Sequence, residues 1–260
     1  MHLDVTELNK FYCRTKLGLL TKARLENLIV KIWSEPCVGT LVGFGFATPL
    51  LGPLQTKADN IFCLMPGQQG VLSWPSQKKN VSVLVEETSW PLESDTVDRL
   101  VVAHGLETCD QPKALLQEIW RVLRPSAKVL FIVPNRTGLW ARNDLTPFGY
   151  GRPYTLGQVD RQLRENRFTI ERHFTALYAP PSEKLFWIKT GKFLESIGKK
   201  FDLRVIAGAI VIEASKQLFA LPKVSVRETI TAPLDVLEDF GKPKPVSKTS
   251  QSAHKSILII

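Results

Sequence analysis

The sequence predicts an α/β protein built on a doubly wound, mostly parallel sheet, preceded by an N-terminal helical cap. Three observations carry this. Short apolar runs bounded by glycine and proline alternate with longer amphipathic stretches of helical period. Residues from Asp98 to Val133 read as strand, helix, strand with short connections, which is a βαβ unit and therefore demands parallel strands. The first apolar run ends in Gly43-Phe44-Gly45-Phe46-Ala47, a turn that lets the backbone approach a ligand and aims a following helix at it.

Residues 5–34 are expected to be helical, with Leu8, Phe11, Tyr12, Leu25, Leu28, Ile29 and Ile32 at helical spacing and a break near Gly18. After Pro36, Val38–Phe46, Ile61–Met65 and Val81–Val85 read as three buried strands, the second stopped by Pro66-Gly67. Asp98 opens a fourth strand through Ala103. Pro112–Leu123 follows as a helix with Leu115, Leu116, Ile119, Trp120 and Leu123 on one side; Pro125 stops it, and Val129–Val133 is the next strand. Thr155 and Gln158 form a capping box ahead of a helix through Arg167, and Phe168–Ala176 reads as strand. Glu183–Phe201 is a basic amphipathic helix, expected to cover a sheet edge with its lysines in water, and Val205–Ala214 is the last strand. Beyond about residue 223 Pro, Ser, Thr and Lys accumulate, and little order is expected. The expected organisation is thus a cap over 1–36, the main domain over 37–223 and a basic tail over 224–260.

The 260 residues suit one such domain with appendages. Thirty-four Lys and Arg against 25 Asp and Glu give a formal charge of +9, which invites anionic partners without specifying one. Much of the excess lies in Lys242, Lys244, Lys248 and Lys255, a stretch without acids, so it reads as a solvated tail. Cys13, Cys37, Cys63 and Cys109 stand singly and the histidines show no metal spacing, which argues against zinc and for reduced thiols in a cytoplasm. Asp4 and Glu7 disfavour a secretion signal, and no apolar run reaches membrane-spanning length.

Two further motifs follow the glycine turn. Trp90-Pro91-Leu92-Glu93-Ser94-Asp95-Thr96-Val97-Asp98 leads through a strand into His104-Gly105-Leu106-Glu107, and Glu118-Ile119-Trp120-Arg121-Val122-Leu123-Arg124-Pro125 leads into the next strand. With the turn, and in this order, they resemble the class I S-adenosylmethionine (SAM)-dependent methyltransferases of the small-molecule "methyltransferase domain" type, over roughly residues 38–175. The stretches "PNR-x-GLWAR" and "TPFGYGRPYT" look like an uncharacterised bacterial branch of that family. The resemblance implies a Rossmann-like fold, SAM as cofactor, and methylation of an acceptor. It places Gly43, Phe44, Gly45 and Ala47 against the amino-acid part and ribose of SAM, Met65 at the end of the second strand, and Glu86 or Glu87 near the adenine. His104 would look onto the transfer site.

The sequence also departs from that pattern. Thr40, Leu41 and Val42 supply no acid before the turn, and Leu64, Met65 and Pro66 stand where an acid usually grips the ribose. A hydrogen bond to a charged group contributes roughly 1.5–3 kcal/mol, so its loss weakens binding about tenfold or more. The usual Pro-Gly-Gly is Pro125-Ser126-Ala127, and Thr108 replaces a second histidine. The long segment Asn135–Tyr154 follows a strand's carboxyl end, where a substrate lid is expected. Asn135, Arg136, Trp140, Arg142 and Arg152 are its candidate substrate-binding residues: arginines for an anionic group and the aromatic for a flat one. His104 and Tyr150 are the catalytic candidates. The leading expectation is a SAM-dependent methyltransferase acting on a small or medium acceptor. A catalytically degenerate relative serving as a protein's binding partner, and an enzyme acting on RNA, are the alternatives.

Overall fold

In the computed structural model, residues 4–184 and 205–216 are described. The expected basic helix beyond Lys184 and the tail lie outside these residues.

Among the described residues seven strands form one sheet: β1 (Cys37–Gly45), β2 (Ala58–Pro66), β3 (Ser82–Val85), β4 (Val97–Ala103), β5 (Leu123–Pro134), β6 (Phe168–Ala176) and β7 (Ala209–Lys216). Their order is β3-β2-β1-β4-β5-β7-β6. The first five strands pair in parallel, and β7 runs antiparallel to both β5 and β6. The doubly wound, mostly parallel α/β architecture is the one the sequence predicts.

Helices α1 (Val5–Arg14) and α2 (Lys16–Ile32) form the N-terminal cap. The break between them falls at Thr15 rather than Gly18. Thr15 caps α2 by accepting from the Gly18 amide at 2.9 Å, while its hydroxyl donates to the Phe11 carbonyl at 2.9 Å. Gly18 sits inside α2 because a Cβ there would lie 1.8 Å from the Phe11 carbonyl oxygen. It marks a close approach between helices, not a breaker.

Alternate residues of the strands divide the core. One face (Leu41, Met65, Val101, Leu130, Ile132, Val211) packs under α1 and α2. The other (Val42, Phe44, Leu100, Val102, Phe131, Ile212) packs against α3 (Pro112–Val122) and α4 (Leu156–Glu165). The Thr155–Gln158 capping box forms at the start of α4.

The chain differs from expectation after β1. No α-helix follows the glycine turn; residues 46–57 hold two short 3-10 turns, Thr48–Leu50 and Gly52–Leu54. Pro49 and Pro53 cannot donate the amides a helix needs, and Gly52 between them disfavours one further. No helix dipole is therefore aimed at the turn.

The cap is tied to the antiparallel end of the sheet through Glu213 on β7, which is wholly buried. Its carboxylate accepts from Trp33 Nε1 at 2.9 Å and from Arg172 Nε at 2.5 Å, with Lys128 Nζ 3.8 Å away. Burial alone raises this carboxyl, but the hydrogen bonds from Arg172 and Trp33, with the charge of Lys128, outweigh it and hold it below the usual glutamate range.

Two outcomes follow. A depressed folded-state value means the Glu213 contribution is fully present above the unfolded value of about 4.3 and fades as pH falls through the folded value. Urea unfolding of Glu213→Gln should show a stability loss of about 1–3 kcal/mol at pH 7. Its decline toward pH 3 should be shallower than that of the parent, and equal slopes would refute the linkage. Ser126, where the resemblance has glycine, holds φ +65°. The left-handed conformation costs a non-glycine residue roughly 1–2 kcal/mol, offset in part by the greater unfolded-state entropy of glycine. Ser126→Gly should therefore raise the melting temperature by a few degrees; a fall would show the turn to be unstrained.

Candidate active site

The site forms where β1 and β4 end side by side. Gly45 has φ +74°, and the amide of Phe46 donates back to the Ala103 carbonyl at 2.8 Å. A Cβ on Gly45 would stand 2.4 Å from that carbonyl oxygen, so only glycine fits there. A Cβ on Gly43 would meet Leu51 Cδ1 at 2.6 Å, and one on Gly105 would meet the Phe44 ring at 2.8 Å. These three approaches are taken up by the chain's own atoms.

His104 follows β4 directly and holds φ +51°, an uncommon backbone for histidine that turns its ring back over the strand end. Both ring nitrogens are engaged. Nε2 lies 2.7 Å from Tyr12 Oη, delivered by α1, and Nδ1 lies 3.1 Å from Glu107 Oε1. All three residues are buried. Burial, and then the Glu107 carboxylate, push the Tyr12 phenol well above its ordinary value, so it stays protonated. Because the carboxylate can only accept, Nδ1 carries the imidazole proton; in the neutral ring Nε2 then accepts from the Tyr12 hydroxyl. Phe46 stacks on Tyr12 with centroids 6.0 Å apart, and Phe148 meets His104 edge-on at 5.0 Å.

Gln69, on the loop after β2, closes the cluster from another side. Its Nε2 donates to the His104 carbonyl and, at 3.0 Å, to Thr108 Oγ1. This pairing fixes the amide orientation and leaves Oε1 buried with no partner among the described residues; Glu107 Oε2 is in the same state. Two unmatched buried acceptors on side chains that both hold His104 amount to an unmet demand for hydrogen-bond donors.

Beside this cluster is a cavity of about 520 Å³ lined by Glu107, Thr108, Asp110, Asp144, Tyr150 and Arg152, with Gly149 and Gly151. The segment after β5 forms its outer wall and is stapled to the β4 loop: the Arg152 amide donates to the Glu107 carbonyl at 2.8 Å.

The sequence-based candidates are distributed unevenly around this centre. His104 lies at its heart, and Tyr150 and Arg152 line the cavity. Gly43, Phe44, Gly45 and Ala47 form the turn beneath, and Phe44 stacks on Trp90 at 4.7 Å. Met65 is buried at the end of β2, with no carboxylate beside it in sequence. Glu87 is nearly buried, its carboxylate raising the buried Cys109 thiol, which burial and this contact push to about 12. Glu86 is exposed. Asn135 donates from Nδ2 to the Ala207 carbonyl at 2.8 Å and accepts from Thr137, so it braces its own loop. Trp140 is buried and donates from Nε1 to the Ala179 carbonyl at 2.8 Å. Arg136 and Arg142 are exposed, and Arg136 Nε donates to the Pro153 carbonyl at 3.1 Å.

Gln69 was not among the candidates; the sequence offers Tyr12 only as a weaker one, more suited to packing or positioning, and Glu107 as a partner of a helix N-terminus. Glu107 was legible, three residues after His104 on the same turn. Gln69 shows only as one polar residue of a loop. Among the described residues no group of His, Cys, Asp or Glu could hold a metal, and no helix is long and apolar enough to cross a membrane.

The fold is the Rossmann-like α/β fold found in class I methyltransferases. Residues 43–131, which contain the turn, the His104 loop and α3, match the family described as "Methyltransferase domain". The fold is similar to that of a SAM-dependent methyltransferase from Thermotoga maritima, at 14% identity and TM-score 0.58, covering 82% of this chain and 96% of that one. It is also similar to an S-adenosylmethionine-dependent methyltransferase from Mesorhizobium loti, at 12% identity and TM-score 0.51, covering 74% and 98%. A geranyl diphosphate methyltransferase, solved with GPP and sinefungin, aligns at 14% identity and TM-score 0.53 over 76% of this chain and 79% of that chain. No curated protein matches the chain.

The residues present suit SAM in part. The turn's backbone is in place at the end of β1, and the orphaned Gln69 Oε1 is an acceptor suited to the ammonium or hydroxyl donors of SAM. The carboxylate that usually holds the ribose is absent.

Because the glycine approaches are filled by protein, substituting them acts first on folding. Gly45→Ala should lower stability by about 2 kcal/mol or more, through strain at positive φ and the clash with Ala103. Thermal unfolding checks this; an unchanged melting temperature would show the turn to be slack.

Proposed function

We propose that this protein transfers a methyl group from SAM to a small acceptor that enters the cavity beside His104. The observation that carries the reading is the buried Tyr12–His104–Glu107 chain at the end of β4, adjoining that cavity. SAM supplies an electrophilic methyl group on a sulfonium. The Gly43–Ala47 backbone and Gln69 Oε1 would hold it, Gln69 partly compensating for the missing carboxylate. Displacement at a methyl group needs chiefly alignment, so the chain's main tasks are to orient two reactants and exclude water. Where the acceptor must lose a proton, Glu107, which lines the cavity and is held by His104 Nδ1, is the group in reach that can take it.

The absent acids at Leu41 and Met65 favour a second reading, a methyltransferase fold retained for binding a protein partner. One titration separates the two. Calorimetry with SAM and with its demethylated product should give micromolar dissociation constants for the parent and at least tenfold weaker binding for Gln69→Leu. No binding at millimolar ligand would overturn the enzyme reading and leave the second. Once an acceptor is found, His104→Asn should lower kcat by about 10²-fold with little change in SAM affinity, the usual scale for losing positioned proton transfer.

A further inference from the structure

The cavity beside His104 has an uneven electrostatic lining. Glu107, Asp110 and Asp144 contribute three carboxylates, Arg152 a single guanidinium, and Tyr150 an aromatic ring. Asp110, Asp144 and Arg152 are exposed at its mouth, whereas Glu107 and Thr108 are buried at its inner end. Glu107 is 2% exposed. One of its oxygens is bound to His104, and the other has no partner among the described residues. A buried acceptor left unmatched costs roughly 1–3 kcal/mol, and more when it is charged, so a structure that keeps one has reason to fill it from outside. The Glu107 charge is felt nearby: Tyr154 is pushed up to about 12, by burial first and by Glu107 second.

We infer that this cavity receives a small organic amine, whose ammonium is bound by Glu107 and whose body lies against Tyr150. The chemistry separates the alternatives. A carboxylate or phosphate would add negative charge beside a buried carboxylate. A neutral hydroxyl supplies one donor and leaves the charge unbalanced. An ammonium supplies three N–H donors and the opposite charge, and the adjacent ring favours a cation at its face. This runs against the sequence-level expectation that the arginines of the loop select an anion, because only Arg152 reaches the cavity lining. The inference rests on the cavity being the acceptor site, but it concerns binding alone.

The test is calorimetry of the full chain at pH 7.5 with three ligands that share a phenyl ring: phenethylamine, 2-phenylethanol and 3-phenylpropionate. The amine should bind at least tenfold more tightly than either analogue, and Glu107→Gln should weaken it by about tenfold, the effect of removing one well-placed charge pair. Asp144→Asn, at the exposed mouth, should weaken it about twofold and serves as the readout should Glu107→Gln fail to fold. Equal or tighter binding of the alcohol or acid, no binding of the amine, or amine binding unchanged in a folded variant would overturn the inference. The same samples titrated with SAM keep the two claims apart. SAM binding without amine selectivity defeats this inference and spares the function proposed above; amine selectivity without SAM binding does the reverse.

Discussion

The constraint that shapes this protein is the need to cover both faces of a parallel sheet whose connections are unusually short. Residues 46–57, 67–81 and 86–96 join the first four strands without an α-helix. Parallel strands are normally buried by their own crossover helices. Here one face is covered instead by α1 and α2, which precede the sheet in sequence. Leu8, Phe11, Leu25, Leu28 and Ile29 fill the space over β1, β2 and β4. Toward the β3 edge, where neither source of helices reaches, Phe62, Val83 and Leu84 stay partly exposed.

This borrowed cover explains the composition of the site. With α1 packed over the end of β1, Tyr12 comes within hydrogen-bonding distance of a histidine 92 residues away. The loop after β2 is drawn into the same contact, since the amide of Val5 at the start of α1 donates to the Gln69 carbonyl at 2.8 Å. A cap that looks like mere packing in the sequence thus supplies one side of the polar centre. The Trp33–Glu213 hydrogen bond and the Arg172 contact to the Ile32 carbonyl hold its other end.

Much of the fold was legible because period and punctuation agree along the chain. The βαβ unit from Asp98 onward, the capping box at Thr155 and the strand Phe168–Ala176 are signalled by local patterns that tertiary packing does not override. The helix anticipated after the glycine turn failed because Pro49, Gly52 and Pro53 outweigh the motif's usual continuation. Gly18 misled for a different reason: a glycine needed for close helix packing looks the same in sequence as one that ends a helix. Within the site, His104 could be read from its place after a strand and Tyr150 and Arg152 from their loop. Asn135 and Trp140 could not be told apart from ligand-binding residues, since a buried side chain bracing its own loop has the same chemistry. Gln69 and Tyr12 depend on contacts across the fold, which no local pattern encodes.

The long span of these contacts bears on how the chain is made. α1 and α2 leave the ribosome early, yet the groups they pack against lie around residue 104 and, for Trp33, on a strand 180 residues further along. Until β4 and then β7 emerge, the apolar helical face is only partly covered, and contacts of such separation form slowly. Until those strands are made, this face leaves the chain open to aggregation and to chaperone capture. The polar centre around His104 can assemble only as a late event of folding, so errors in docking α1 and α2 would yield a sheet without that centre.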